Sequence, residues 1–216
     1  PKDAEDVKNL VRFVSQKSRR RRGSPGAANV NGQLLSLTPR SGGTDMTGGA
    51  LGESIVLDFT KHFNQIYEVG LHKDGGGYAR VQPGVFYRDF EKETLKKNLF
   101  LPSYPASREI CTVGGMVANN AGGEKTLAYG KTEDYILELK AVLSDGNEYL
   151  IKPLTRDELD RKLSQDDFEG EIYRKVFRLV SENREILNKA KPNVTKNSAG
   201  YYLWNIWDGE YFDLTK

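Results

Sequence analysis

The chain contains a single cysteine, Cys111, only two histidines and no long apolar run. One cysteine excludes an intramolecular disulfide and fits a reducing compartment, and Cys111 is expected to be a small buried residue rather than a reactive thiol. No apolar stretch approaches the roughly 20 residues that a membrane-spanning helix needs. The net charge of +2 over 216 residues gives no reason to expect general affinity for polyanions, so nucleic acid is not an expected partner. These absences predict a cytoplasmic protein, with peripheral association with a membrane left open.

Glycine is the residue that the chain has in excess, with 22 copies. One dense cluster lies in the segment Pro39–Leu51, which reads PRSGGTDMTGGAL. Short apolar stretches, Leu34–Leu37 and Ile55–Phe59, flank this segment and are predicted strands. A glycine-dense loop between two strands lets backbone N–H groups approach a phosphate without a Cβ in the way. The segment therefore indicates an anionic cofactor, and a flavin in particular.

The segment lacks the Gly-Lys-Ser/Thr ending of a P-loop and the G-x-G-x-x-G spacing of a dinucleotide-binding helix. A lone pair of glycines is more often a hairpin connection. A second glycine-rich segment, Thr112–Gly123 (TVGGMVANNAGG), favours two loops that hold one extended ligand. The alternative for this second segment is a helix start, rich in glycine and alanine, packed against a sheet.

The segments Pro39–Leu51 and Leu101–Gly123 together resemble the FAD-binding domain of the vanillyl-alcohol oxidase and p-cresol methylhydroxylase (PCMH-type) flavoproteins. The nearest branch holds the glycolate oxidase D subunit, D-lactate dehydrogenase and D-2-hydroxyglutarate dehydrogenase. Val81–Val85 (VQPGV) and Gly130–Ile136 (GKTEDYI) extend the similarity, which covers nearly the whole chain. The resemblance implies an α+β fold of two lobes, 1–71 and 72–216. It also implies that the chain is a fragment that does not turn over substrate alone.

By resemblance, two groups of residues bind FAD. Those on the pyrophosphate side are Pro39, Arg40, Ser41, Gly42, Gly43, Thr44, Asp45 and Met46. Those near the ring and ribityl chain are Pro83, Gly84, Val85, Pro102, Ser107, Thr112, Gly114, Gly115, Asn119 and Gly122. Whether the Arg40 side chain pairs with phosphate, or only its backbone contributes, stays open at this point. Some relatives attach flavin to a histidine at position 44, so Thr44 predicts non-covalent FAD.

The implied reaction is oxidation of a 2-hydroxy acid by hydride transfer to flavin N5. Alternatives are a sugar, lactone or UDP-sugar substrate, or a binding module that uses Arg19–Arg22. The partners are a small-molecule substrate and either an electron-acceptor protein or a quinone. No catalytic base is identified, because His62 and His72 are expected at the surface, while Tyr201 lies in a stretch similar to one that borders the active site. No metal site is predicted.

Overall fold

The structure is a computed structural model that describes residues 1–19, 35–73, 75–194 and 196–216. Seven α-helices and six strands follow one another in groups along these ranges, which confirms the α+β class. Their bounds are α1 Ala4–Arg19, β1 Leu37–Arg40, β2 Ile55–Asp58, β3 Ile66–Leu71, β4 Gly77–Val81, α2 Tyr87–Leu95, α3 Val113–Ala118, α4 Thr126–Tyr129, β5 Leu139–Val142, β6 Glu148–Ile151, α5 Arg156–Ser164, α6 Phe168–Glu182 and α7 Arg184–Ala190. Short 3-10 helices cover Thr132–Tyr135 and Leu203–Asn205. Within the described ranges, no helix has the length and apolarity needed to cross a membrane.

The chain divides into two compact units. The N-terminal unit comprises Pro1–Thr132 with Val142–Asn147, and the C-terminal unit comprises Glu133–Ala141 with Glu148–Lys216. The lobe boundary that the sequence places after residue 71 stays a prediction. The proposed contact through Arg19–Arg22 also stays untested, since residues 20–34 lie outside the described residues.

The i, i+3, i+4, i+7 spacing of Val7, Leu10, Val11 and Val14 predicts an amphipathic helix that Asp3 caps, and the N-terminal unit begins with this helix, α1. Asp3 caps this helix, because its carboxylate accepts the backbone N–H of Asp6 at 2.9 Å. Val7 is buried, and Val11 and Val14 on the same face are half-buried. The predicted apolar face of α1 is therefore confirmed.

Two small sheets follow in this unit. Strands β1 and β2 pair in parallel, with Arg40 opposite Asp58, while β3 and β4 form an antiparallel hairpin. The predicted first strand ends at Leu37, whereas the observed strand begins there and continues to Arg40. The prediction was wrong because Pro39 and Arg40 were assigned to the loop, although proline is compatible with a strand that does not use its missing N–H group. The connection between β1 and β2 is therefore residues 41–54.

The core of the N-terminal unit lies between α2 and the two ends of the 101–113 segment. Its buried members are Val85, Tyr87, Phe90, Tyr104, Cys111 and Met116. The sequence predicts Phe86, Phe90 and Leu95 on one helix, and α2 contains the last two, with Phe86 as its capping residue. Phe90 is buried, whereas Leu95 is 55% exposed. This core supports the two segments that carry the predicted cofactor residues.

The C-terminal unit packs α5, α6 and α7 around a second core that includes Leu159, Tyr173, Val180 and Phe212. The sequence predicted one helix over 172–190, but the structure breaks it at Asn183 into α6 and α7. The prediction of Leu179 as an inward residue was also wrong, since it is exposed. Strands β5 and β6 pair with each other, with β5 shorter than predicted.

Candidate cofactor-binding site

The first glycine-rich loop is fastened to two distant parts of the N-terminal unit. The Ser41 hydroxyl donates to the Pro83 carbonyl at 3.3 Å. The Gly42 N–H donates to the Thr112 hydroxyl at 3.2 Å, across 70 residues of sequence. The structure thus brings together three predicted site segments that are far apart in the chain.

The second glycine-rich segment forms the short helix α3, which is the alternative that the sequence left open for it. Its first turn is bonded to the turn at Pro83: the Gly114 N–H donates to the Pro83 carbonyl at 2.9 Å, and the Val113 N–H donates to the Val85 carbonyl at 2.9 Å. The Pro83 carbonyl therefore accepts hydrogen bonds from both glycine-rich segments. Helix and loop form one connected surface around this carbonyl.

The two adjacent glycines of α3 have different surroundings. A Cβ built at Gly114 would overlap the Pro83 side chain and would lie 2.8 Å from the Pro83 carbonyl oxygen. A Cβ built at Gly115 would meet only Thr112 Oγ1 at 3.4 Å and Ser41 Cβ at 3.8 Å, which are ordinary contacts. Internal packing therefore explains why position 114 carries glycine, whereas no packing contact among the described residues requires glycine at position 115.

The backbone of the first loop presents unused donors. Gly43 has a φ of +65°, a left-handed conformation that favours glycine. Within the described part of the chain, no acceptor is bonded to the N–H groups of Gly43, Thr44 or Asp45. Consecutive N–H groups in such a turn form an anion-binding concavity.

The Arg40 side chain folds back over this turn. A Cβ at Gly43 would lie 2.9 Å from Arg40 Nε and would overlap the rest of the guanidinium. Arg40 also lowers the pKa of Asp58, its partner across the sheet, although the hydroxyl and N–H of Thr60 contribute more to that shift. The guanidinium thus adds positive charge beside the unused N–H groups.

Asp45 holds the second half of the loop. Its carboxylate accepts the Thr47 hydroxyl at 2.6 Å, the Thr47 N–H at 3.1 Å and the Gly49 N–H at 2.8 Å. These bonds, the Thr47 hydroxyl first, lower the pKa of Asp45 because they stabilise the ionised form. Met46 between them is 99% exposed. The side chain of Asp45 therefore shapes the loop from within.

The predicted residues on the ring side include two hydroxyls. Thr112 is 1% exposed, and its oxygen accepts the Gly42 N–H. Ser107 lies beside the Cys111 thiol, which is buried and donates to the Arg108 carbonyl at 3.9 Å. Burial raises the pKa of Cys111, and the neighbouring Ser107 hydroxyl offsets only part of that effect. The expectation that Cys111 is a small buried residue is confirmed.

The remaining predicted residues have mainly structural contacts. Val85 belongs to the core and Pro102 is buried. A Cβ at Gly122 would lie 2.5 Å from Thr126 Oγ1, while Asn119 is exposed at the end of α3. Gly84 is buried beneath the Phe59 and Phe63 carbonyls. Cofactor contact by these residues stays a prediction.

No catalytic residue is assigned among the described residues. His62 and His72 are exposed, as expected, and Tyr201 of the C-terminal unit is 89% exposed. The ranges that the structure describes contain no group of three or more His, Cys, Asp and Glu residues arranged to hold a metal ion.

Sequence reasoning did not identify Glu91 and Arg108, which form an ion pair behind the second segment. The available signal was weak: each is one charged residue in a segment that already has several, and the pair is 17 residues apart. Spacing alone could not show that one carboxylate in α2 is turned inward.

Comparison with known proteins identifies the family of the chain. The profile of the FAD binding domain family matches residues 1–150. The chain belongs to this family, and FAD is its cofactor. The similarity to the vanillyl-alcohol oxidase and p-cresol methylhydroxylase flavoproteins is thereby confirmed.

Individual relatives place the chain in one branch. It is 32% identical over 194 residues to D-2-hydroxyglutarate dehydrogenase of Escherichia coli (strain K12), which covers 88% of this chain and 19% of the relative. It is 40% identical over 115 residues to glycolate oxidase subunit GlcD of Bacillus subtilis (strain 168), covering 52% of this chain and 24% of the relative. The chain thus spans about a fifth of the length of the first of these relatives.

A solved structure shows the same fold. 6-Hydroxy-D-nicotine oxidase from Arthrobacter nicotinovorans superposes with a TM-score of 0.52 at 23% identity, covering 70% of this chain and 28% of that one. At this identity the match supports the fold alone.

Proposed function

We propose that this chain is the FAD-binding part of a flavin-dependent oxidoreductase, and that the FAD diphosphate binds at the N–H groups of Gly43, Thr44 and Asp45. The main support for this proposal is that these three donors have no acceptor in the described chain, while hydrogen bonds hold the loop around them to Pro83 and Thr112. A diphosphate offers the acceptors that these groups lack. The N–H of Gly42, directly before these three donors, already donates to Thr112.

The rest of the cofactor extends from this turn along α3. Gly115 faces Ser41 and Thr112 with room for a neighbouring group, and the Thr112 hydroxyl is buried beside it. A hydroxyl donor near the flavin carbonyls stabilises negative charge on the reduced ring. FAD itself supplies the acceptance of hydride, and the chain supplies binding and orientation.

Two features of the chain support non-covalent binding. Thr44 stands where some relatives attach flavin to histidine, and a threonine hydroxyl does not form that bond. The Cys111 thiol is 3% exposed and its pKa is raised by burial, both of which disfavour attack by sulfur. Flavin should therefore separate from the protein on acid precipitation.

A 2-hydroxy acid is the proposed substrate class. Two relatives carry the names D-2-hydroxyglutarate dehydrogenase and glycolate oxidase, and both name a 2-hydroxy acid. The acceptor of the electrons is proposed to be a protein or a quinone. A cytoplasmic location belongs to the same proposal and is supported by the single, buried Cys111.

A fluorescence titration tests the cofactor site. FAD emission should be quenched as the protein is added, and Gly43→Val should abolish this quenching, because its side chain would displace Arg40 and strain the turn. Gly75→Val is the matched control: Gly75 also has a positive φ, +89°, but lies in the β3–β4 connection, where no described residue beyond its chain neighbours comes within 4 Å of a built Cβ. Equal FAD binding by wild type and Gly43→Val would refute the proposed diphosphate site.

The substrate class is tested on the natural gene product that carries this domain, loaded with FAD and kept without oxygen. D-2-hydroxyglutarate, D-lactate or glycolate should bleach the visible absorption of the oxidised flavin. Bleaching by sugars or lactones and by none of these acids would move the substrate to the alternative class, while the FAD site would stand.

A further inference from the structure

A partly buried polar network lies behind the segment that carries Ser107 and Thr112. It starts at Tyr87 on α2, which is 0% exposed. The Tyr87 hydroxyl donates to the Leu101 carbonyl at 2.8 Å and lies 3.2 Å from Glu91 Oε1. Burial and the neighbouring Glu91 carboxylate raise the pKa of Tyr87, so this hydroxyl stays a donor. Helix α2 is thereby bonded to the start of the segment.

The Glu91 carboxylate continues the network to the other end of the segment. It forms an ion pair with the Arg108 guanidinium, which packs over the Tyr104 ring at 4.6 Å. The Tyr104 hydroxyl donates to Glu124 at 2.8 Å, on the stretch that follows α3. Glu91 thus connects α2 with both sides of the second glycine-rich region.

Arg108 is only four residues before Thr112, and the chain between them is tightly bonded. The Ser107 carbonyl accepts the Ile110 and Cys111 N–H groups at 2.9 and 2.8 Å, and the Cys111 carbonyl accepts the Tyr87 N–H at 3.0 Å. A displacement of Arg108 therefore carries over to Thr112, which holds Gly42 of the first loop.

Glu91 differs from Glu93, which is also ion-paired in α2, in its burial and in the location of its partner. Glu93 pairs with Lys96 at 2.7 Å, and both side chains are largely solvated on one turn of the helix. Such surface ion pairs contribute little to the free energy of folding. The Glu91 side chain is only 17% exposed and contacts Tyr87 in its own helix and Arg108 in the segment before α3. Loss of its charge would leave the Arg108 guanidinium with only the longer contact to the exposed Glu109 carboxylate, at 3.7 Å.

We propose that Glu91 is a positioning residue of the FAD site: through Arg108 it sets the place of Ser107 and Thr112 relative to the first loop. This inference depends on the FAD site proposed above. Glu91 itself contacts no cofactor in this scheme. Its effect reaches FAD through the Arg108–Thr112 stretch and the Thr112–Gly42 hydrogen bond.

Glu91→Gln tests the proposal, because glutamine keeps an oxygen for Tyr87 and removes the charge that holds Arg108. We expect the Kd for FAD to rise about tenfold, which corresponds to about 1.4 kcal/mol, and the visible absorption bands of the bound flavin to shift. Glu93→Gln is the control and should change neither quantity. A role in stability alone would lower the unfolding temperature and leave the spectrum of the bound flavin unchanged.

A second variant covers the case in which Glu91→Gln does not fold. Arg108→Lys keeps the positive charge but loses the planar group over Tyr104, and it should shift the same absorption bands. If wild type itself does not bind FAD, the proposed function fails. If wild type binds FAD, and the folded variant of either residue gives the same Kd and spectrum, only the positioning role of Glu91 is overturned.

Discussion

Replacing Gly115 by alanine should stabilise the protein and weaken FAD binding at the same time. Gly115 lies inside α3, where glycine costs about 0.5–1 kcal/mol relative to alanine. The added methyl group would meet Thr112 Oγ1 at 3.4 Å and Ser41 Cβ at 3.8 Å, so the chain itself accommodates it. The free energy of unfolding without FAD should therefore rise by up to about 1 kcal/mol.

The same methyl group points to the side of the helix where Ser41 and Thr112 lie. If the cofactor passes there, the methyl group occupies part of its space. We expect the Kd for FAD to increase at least tenfold, since each tenfold change corresponds to about 1.4 kcal/mol and overpacking costs about 1–3 kcal/mol. Opposite changes in stability and affinity distinguish a ligand-facing glycine from a packing glycine.

The measurements are chemical denaturation without FAD and a fluorescence titration with FAD. Gly114→Ala is the comparison, because its Cβ would overlap Pro83, and it should lose about 1–3 kcal/mol of stability. A stabilised Gly115→Ala protein that binds FAD as tightly as wild type would refute the ligand-facing role. A destabilised Gly115→Ala protein would refute the assignment of open space at this position.

Three further predictions address the structure around the site. Gly84→Ala should destabilise the protein by several kcal/mol in chemical denaturation, because its Cβ would overlap the Phe59 carbonyl and lie 2.6 Å from the Phe63 carbonyl; unchanged stability would contradict the burial of this turn. The pKa of Glu158 is lowered to about 2, chiefly by its hydrogen bond from the N–H of Thr155, the capping residue of α5, and next by its bond from Lys152. Because the folded-state pKa is depressed, the stability from the ionised Glu158 is present above pH 4.5 and is lost as the pH falls towards 2. Glu158→Gln should therefore reduce the loss of stability with falling pH in a series of denaturation experiments. An unchanged pH dependence below 4.5 would contradict this contribution of Glu158. Cys111 should react with a thiol reagent much more slowly in the native than in the denatured protein, since burial raises its pKa; equal rates would show that the thiol is accessible.

Local sequence signals predicted much of the N-terminal unit. The apolar spacing of α1 and the Asp3 cap are properties of adjacent turns, and β3 occurs at the predicted residues, Ile66–Leu71. Helix α5 was missed although Thr155 and Glu158 have the spacing of a capping box, and both of its hydrogen bonds are present. The sequence therefore contained a local signal for the start of α5.

Other features depend on contacts between distant residues. Helix α3 contains two glycines, which disfavour a helix, and it forms where Val113 and Gly114 bond to the 83–85 turn. The break at Asn183 separates two helices whose apolar periodicity is continuous in sequence. The inward direction of Glu91 is set by Tyr87 and Arg108. No local pattern encodes these tertiary contacts.

The glycine-rich motif itself combines two physical roles that the sequence cannot separate. Gly42 lies where a Cβ would be 2.6 Å from the Ile110 carbonyl, and its N–H is bonded to Thr112, so its smallness lets one loop pack on the other. Gly43 has a left-handed backbone and an N–H without an acceptor in the described chain, so its conformation exposes donors. The first role builds the site and the second serves the ligand. Substitutions at Gly42 should therefore act mainly on folding, and those at Gly43 mainly on FAD affinity.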